Sequence, residues 1–325
     1  TLQVQYIDYA LWQRSDEMAL LLEVPQEYWR GQVRDGMLPV LELPLDYVRP
    51  ATQTFSGASM PVAIAPDVAA RLQRLSRMHS ATLFQLALAL WALLLCRHAG
   101  QDEVVIGSPY HGRDVAGTEQ LIGYFVNVLA LRVEAPHGGT VASVVGGARD
   151  AAAGGMRHAV LPFQKMLDEL MPKRRHDASR NAVFQTILGW GDEAGELSGA
   201  VGPNFGDALQ VRPAELGENR VAKVEMTLSS GLRADGAIEG GIEFNTDLYA
   251  RESIERLAAR LTVLAAALAD APVQANVWTL PLMPSDETER VLCTFNNTTA
   301  PFLADLCIHD LVLAQVARTP EAVAL

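Results

Sequence analysis

Two short stretches carry residue types that could do chemistry. "HAGQD" sets His98 four residues ahead of Asp102, a spacing in which an imidazole can act as general base while the carboxylate orders the turn. The competing reading is a polar helix C-terminus, with His98 near the negative end of the helix dipole and Asp102 in the turn. "GSPYHGRD", Gly107 to Asp114, places Ser108, His111, Arg113 and Asp114 at and beyond the end of an apolar strand, where loops often hold sites. Asn127 interrupts the apolar run "YFVNVLAL". A buried amide needs partners, so Asn127 either bonds neighbouring backbone or faces a substrate channel. Ser108 has the same two readings.

Other motifs say less. "LGWGDE", Leu188 to Glu193, reads as a strand running into a glycine turn. "GGTVASVVGGARDAAAGG" is rich in glycine but matches neither GxGxxG nor GK[ST], so it reads as a loosely packed helix rather than a phosphate cradle. There is no GxSxG and no HExxH, so no nucleophile or metal centre is built by local sequence. Cys96, Cys293 and Cys307 are scattered without metal-ligand spacing, which points to a reduced, cytoplasmic protein.

The elements that must position these residues follow from pattern. Of 325 residues, 49% are hydrophobic and 20% charged, enough for a full buried core. A net charge of −12 argues against sequence-independent binding to nucleic acid or anionic membrane. "ATLFQLALALWALLLC" is too short for an unforced membrane span and reads as a buried core helix. Ser15 to Gly36 opens as a helix capped by Ser15 and kinked or split by Pro25. "LPVLELPLDYVRPATQ" follows as a proline-rich extended connector. Strands are predicted at Thr54–Ile64, Asp102–Gly107, Ile122–Val133 and within "NAVFQTILGW". "VAKVEMTLSSGL" and "GAIEGGIEFNTDLY" form a strand pair. In the first of these, Val224, Met226 and Leu228 alternate with a polar face of Lys223, Glu225 and Thr227. The pattern implies an α/β lobe with a mixed β-sheet flanked by helices. The lack of a leading methionine suggests a fragment.

Taken in order, several segments resemble one family. "YIDYALWQR" resembles YxDYAxWQR, and "LELPLDYVRP" resembles LELPxDxxRP. "LLLCRHAGQDEVVIGSPYHGR" resembles LLxRYxGQxDxVxGxPxxGR, and "IGYFVNVLALR" resembles IGxFVNTLxLR with Val128 for Thr. "HAVLPFQKML", "RHDASRNAVFQ" and "IEFNTDLY" resemble HxxxPFExLV, RDxSxNPLFQ and EYNTDLF. These are motifs of the condensation domains of nonribosomal peptide synthetases. The resemblance moves "HAGQD" onto a structural turn.

The resemblance implies a chloramphenicol-acetyltransferase-like lobe. Residues 1–50 would be the lobe-junction helix and connector, 51–280 the C-terminal lobe, and 281–325 the linker and start of an adenylation domain. It implies amide-bond formation between a donor acyl or peptidyl thioester and an acceptor aminoacyl thioester, both on phosphopantetheine arms of carrier proteins. No cofactor or metal would be bound by the chain itself. The family's HHxxxDG motif belongs to the N-terminal half; the seven histidines here include no adjacent pair. The isolated chain is thus expected to be inactive. Ser108, His111, Asn127 and Gln185 are expected on the substrate tunnel, and Tyr6, Asp8, Trp12 and Arg14 at the lobe junction. Expected partners are donor and acceptor carrier proteins, the N-terminal lobe and the adenylation domain. The alternative is a non-catalytic lobe that binds carrier protein and adenylation domain.

Overall fold

Alternating apolar strands and amphipathic helices assemble into one mixed sheet with helices packed on it. The computed structural model describes residues 4–33, 36–172, 177–191, 220–300 and 306–323. The chain divides into two units, Thr1–Met283 and Pro284–Leu325. In the first, three short helices, α1 (Tyr6–Trp12), α2 (Asp16–Leu21) and α3 (Glu23–Gln32), precede an extended connector. Then come β1 (Gly57–Ile64), α4 (Pro66–Met78), α5 (Leu83–Ala99), β2 (Glu103–Tyr110), β3 (Asn127–Glu134), α6 (Val141–Arg157), α7 (Phe163–Leu170) and β4 (Thr186–Trp190). β5 (Met226–Leu232), β6 (Ile238–Asn245) and α8 (Arg251–Asp270) complete it. The sheet order is β1-β6-β5-β4-β2-β3. β4 is parallel to both neighbours, and the remaining pairs are antiparallel.

Helix α5 is the centre of the core. Thr82 caps it, Gly100 ends it in the left-handed conformation at φ 64°, and it is buried nearly all round. Its Trp91 indole, fully buried, donates to Thr186 Oγ1 on β4 at 3.0 Å. Burial lifts the Cys96 thiol to about 12, so it stays protonated and inert. No single helix among the described residues is long and apolar enough to cross a membrane.

Some sequence expectations shift. Ser15 caps α2 as expected, accepting from Met18 N at 3.3 Å, but the helix breaks at Leu22 rather than at Pro25. Pro25 falls in the first turn of α3, where a missing N–H costs nothing. β3 begins at Asn127, not Ile122, because its partner β2 ends at Tyr110 and none of the described strands pairs with residues 122–126. β1 starts its ladder at Gly57, not Thr54. Only Thr186–Trp190 of "NAVFQTILGW" is strand; Asn181 turns the chain before it, accepting from Val183 N at 2.9 Å. The glycine-rich stretch is a well-packed helix, α6, burying Val141, Val144, Val145, Ala148 and Ala152. Residues 192–193 of "LGWGDE" and 175–176 of "RHDASRNAVFQ" lie outside the described residues.

The largest correction concerns Glu225. Alternation put it on the polar face of its predicted strand, yet it is 5% exposed. Arg49 from the connector meets it bidentately at 2.8 and 3.0 Å, and Tyr249 Oη donates to it at 3.1 Å. Burial, with the Glu225 charge second, holds the Tyr249 phenol well above its ordinary value. The rest of the connector is tied by the same kind of contact. Leu41 N donates to Gln185 Oε1 at 2.8 Å, and Gln101 bonds Glu42 N and Val40 O, both at 2.9 Å. Asp46 caps α8, accepting from Ala250 N at 2.9 Å and Ser253 Oγ at 2.7 Å.

The second unit holds α9 (Ser285–Glu289) and α10 (Ile308–Arg318). None of its described residues is buried, and Ile308, Val312 and Leu313 are exposed.

Two outcomes follow from these contacts. Arg49→Leu strands a buried carboxylate and is expected to cost about 3–5 kcal/mol in urea unfolding; a loss within error of zero would contradict the clamp. Iodoacetamide on the folded chain is expected to label Cys293 and Cys307, both exposed, and to reach Cys96 only after denaturation; native labelling of Cys96 would contradict the core assignment.

Candidate functional site

Of the residues singled out by sequence, Tyr6, His111 and Asn127 gather around the free ends of β2 and β3, while Gln185 lies before β4, against Leu41 and Asn181. Gly112, at φ 66°, turns the chain after β2, and a Cβ at that position would lie 2.0 Å from the Phe125 carbonyl oxygen. The turn brings 111–114 beside the extended segment 121–126. In that segment Leu121 and Phe125 point inward, while Ile122, Tyr124 and Val126 are exposed.

Helix α1 lies on this segment. Tyr6 Oη donates to the Tyr124 carbonyl at 2.9 Å, and its ring meets Phe125 edge-on at 5.2 Å. The ring also lies against Gly123, where a Cβ would sit 2.2 Å from it. Tyr9, overlooked in the sequence, packs on Phe125 at 4.8 Å and on Trp12 at 5.8 Å. Asp8 closes the helix start by accepting from Gln5 N at 2.8 Å. Arg14 is exposed. The opposite side of α1 shows Ile7 and Leu11, 63% and 64% exposed, one turn apart. The signal for them was present, since four-residue spacing puts both on one helix face; none of the described residues covers that face. Tyr6 and Tyr9 of α1, Gly112, Asp114 and Val115, residues 124–127, and Ala159, Val160 and Pro162 wall a cavity of about 220 Å³.

Ser108 is buried, with Oγ donating to the Leu188 carbonyl at 3.2 Å. It extends the junction of β2 and β4 just past the last paired residues, Gly107 and Ile187. Gln185 is 2% exposed and spends its amide on Leu41 N and, at 2.9 Å, the Asn181 carbonyl. Asn127 donates to the Ala159 and Leu161 carbonyls at 2.7 and 2.8 Å and accepts from Phe163 N and Val128 N at 3.0 Å. It borders the cavity, yet its amide is filled by backbone. His111 is the exposed member. Its Nδ1 accepts from Arg113 N at 3.0 Å, and its Nε2 lies 3.8 Å from Asp114 Oδ1. That oxygen also accepts from Tyr110 Oη at 2.7 Å; burial and this bond lift the Tyr110 phenol to about 12.

His98 stands apart from the cavity lining. Its Nδ1 meets the Leu94 carbonyl at 2.7 Å and its Nε2 meets Arg260 Nη1 at 2.8 Å. Both ring nitrogens are engaged, so no lone pair is left for a general base. Asp102 bonds His137 Nδ1 at 2.9 Å instead, which, with His137 N, holds its carboxyl below the usual range. Among the described residues the one cluster with metal-ligand spacing is Cys307, His309 and Asp310, where Asp310 caps α10 through Cys307 N at 3.0 Å. Asn127→Ala is expected to leave backbone groups on both sides of the cavity wall unpaired and to cost about 2 kcal/mol in chemical unfolding; an unchanged midpoint would show that the amide does not hold that wall.

Known proteins share both sequence and fold. The chain matches the condensation domain family over residues 1–292. It is 34% identical over its whole length to malpibaldin synthetase of Mortierella alpina, of which it spans 6%. It is 32% identical over its whole length to a plipastatin synthase component of Bacillus subtilis (strain 168), of which it spans 9%. Among solved structures, a four-domain nonribosomal peptide synthetase bound to AMP and glycine superposes with a TM-score of 0.75 and 22% identity, over 91% of this chain and 23% of that one. The X-domain of teicoplanin biosynthesis, in complex with OxyB, also superposes with a TM-score of 0.75 at 24% identity, over 88% of this chain and 62% of that one. The mixed sheet flanked by helices is thus the chloramphenicol-acetyltransferase-like fold, and the chain belongs to the condensation domain family of nonribosomal peptide synthetases, whose general chemistry is amide-bond formation.

Proposed function

We propose that this chain supplies the C-terminal wall of a condensation site and that the acid–base group comes from an N-terminal lobe bearing HHxxxDG. In the reaction the acceptor amine attacks the donor thioester carbonyl. The C–N bond forms, the C–S bond breaks, and the proton lost by the amine goes to the departing thiolate. Both substrates arrive on phosphopantetheine arms, from donor and acceptor carrier proteins, in the cytoplasm. Aminolysis of a thioester runs downhill, so the protein's main task is to hold two arms in line. Proximity of this kind is worth about 7–11 kcal/mol in favourable cases.

The observation that carries the reading is the exposed apolar surface beside the cavity. Ile7 and Leu11 on α1 and Ile122, Tyr124 and Val126 on the adjoining segment stand in solvent in this chain. A partner lobe that covers them would close the cavity from the open side. Ser108, Gln185 and Asn127 serve this function by fixing the wall, since their polar atoms are taken by the frame. Of the four tunnel candidates, His111 alone keeps its side chain in solvent, 64% exposed, where it could meet substrate. Tyr6 and Trp12 hold α1 in place for the junction, with Asp8 and Arg14 at its exposed face. The alternative, an interaction lobe for carrier protein and adenylation domain, is favoured by one feature, the exposed apolar residues of α10.

Dipeptide formation from loaded donor and acceptor carrier proteins tests the reading. The protein extended through its N-terminal lobe is expected to condense them, and residues 1–325 alone are expected not to. In the extended protein Ile7→Asp with Leu11→Asp is expected to cut turnover about tenfold or more by misplacing the wall. Turnover by the lone chain would refute the division of labour, and failure of the extended protein with every loaded pair would favour the interaction lobe.

A further inference from the structure

The cavity at the ends of β2 and β3 has a composition that a wall of purely steric function does not need. Tyr6, Tyr9, Tyr124 and Phe125 supply four aromatic rings, and Asp114 and Gln13 supply oxygen acceptors. Ring faces carry negative potential and attract cations. The cluster already accepts one: the Arg113 guanidinium lies 4.3 Å from the Phe125 centroid. Arg113 is itself tied to the Thr118 and Leu121 carbonyls and is not part of the cavity wall.

The polar atoms point the same way. Asp114 uses Oδ1 for Tyr110, and among the described residues nothing bonds its Oδ2. Gln13 donates Nε2 to Tyr9 Oη at 2.9 Å, and among the described residues its Oε1 is likewise without a partner. Burial lifts the Tyr9 phenol, with Tyr6 and Asp114 adding to the effect, so the ring stays neutral beside the carboxylate. The site therefore offers unspent acceptors, one full negative charge and aromatic faces around a space of about 220 Å³. An anion would meet Asp114, and a purely apolar group would strand the acceptors. A substituted ammonium satisfies both.

We propose that this cavity is a subsite for an alkylammonium group, held by Asp114 and the Tyr6, Tyr9 and Tyr124 rings. Given the condensation reading, on which this part rests, the group belongs to an aminoacyl substrate. It is either the α-ammonium that waits to be deprotonated or the end of a basic side chain. The shared chemistry is one cation on a short alkyl stem, and the two sources can be separated.

The test is direct binding to the chain, by amide chemical-shift titration, of three lysine methyl esters. Nα-acetyl-lysine methyl ester keeps only the side-chain ammonium, Nε-acetyl-lysine methyl ester keeps only the α-ammonium, and the diacetyl ester keeps neither. At least one monocation is expected to bind about fivefold tighter than the diacetyl ester, an advantage of the size an exposed ion pair provides. The shifts should centre on Tyr9, Asp114 and Tyr124. Asp114→Asn retains the acceptor for Tyr110 and removes the charge, and it should erase the preference without moving the unfolding midpoint. Whichever monocation is preferred names the source. Equal binding of all three esters, or a preference that survives Asp114→Asn, would overturn the proposal. The assay uses neither carrier proteins nor an N-terminal lobe, so its failure leaves the condensation reading intact, and the reverse also holds.

Discussion

The bidentate pair between Arg49 and Glu225 pins the extended connector to the sheet that the rest of the lobe packs on. The connector that contains Arg49 has few ladder or helix hydrogen bonds of its own, so side chains must hold it down. Gln185, Gln101, Asp46 and Glu225 do so at intervals along its length. A carboxylate buried to this degree is costly unless paired in good geometry and fully bonded. Arg49 and Tyr249 meet both conditions and so fix this part of the connector at the head of β5, which Glu225 immediately precedes. Because the connector leads from α3 to β1, its register sets how the N-terminal helices lie on the sheet.

That placement in turn sets the site. Met18, Leu22 and Trp29 of the N-terminal helices are buried in the same core as α5 and the sheet. Trp29 donates to the His158 carbonyl at 3.0 Å, and Asn127 reaches the next carbonyls along the same turn. The cavity wall thus joins the satisfied Asn127 amide to aromatic rings, with Asp114 and Gln13 as its remaining polar groups. Such a surface suits positioning better than proton transfer, because among the described residues no histidine lines it: His98 stands apart and is bonded on both ring nitrogens, and His111 is exposed beside it.

Much of this was legible in the sequence where one physical signal dominated. The apolar run of α5, the Ser15 cap and the β5–β6 alternation gave local structure directly, and the ordered motifs gave the family. The burial of Glu225 was not legible, because alternation reports which face of a strand a residue is on, not whether a distant connector covers that face. Ser108 and Gln185 were expected on the substrate tunnel from the family resemblance, and local sequence could not name the backbone groups that they bond. The partner's identity depends on pairing across 80 and 144 residues. Ile122 was read as strand because the apolar run begins five residues before the ladder does. Ahead of the ladder the segment buries Leu121 and Phe125 and leaves Ile122 and Tyr124 facing solvent.

The central claim is that the apolar face of α1 and the adjoining segment 122–126 form a junction completed by another lobe. Amide hydrogen exchange, compared between residues 1–325 alone and the same residues joined to an N-terminal condensation lobe, tests this most directly. Amides of Tyr6–Trp12 and of residues 122–126 are predicted to exchange markedly more slowly in the longer protein, while those of α5 stay unchanged. Equal exchange at α1 and residues 122–126 in the two proteins would contradict the claim.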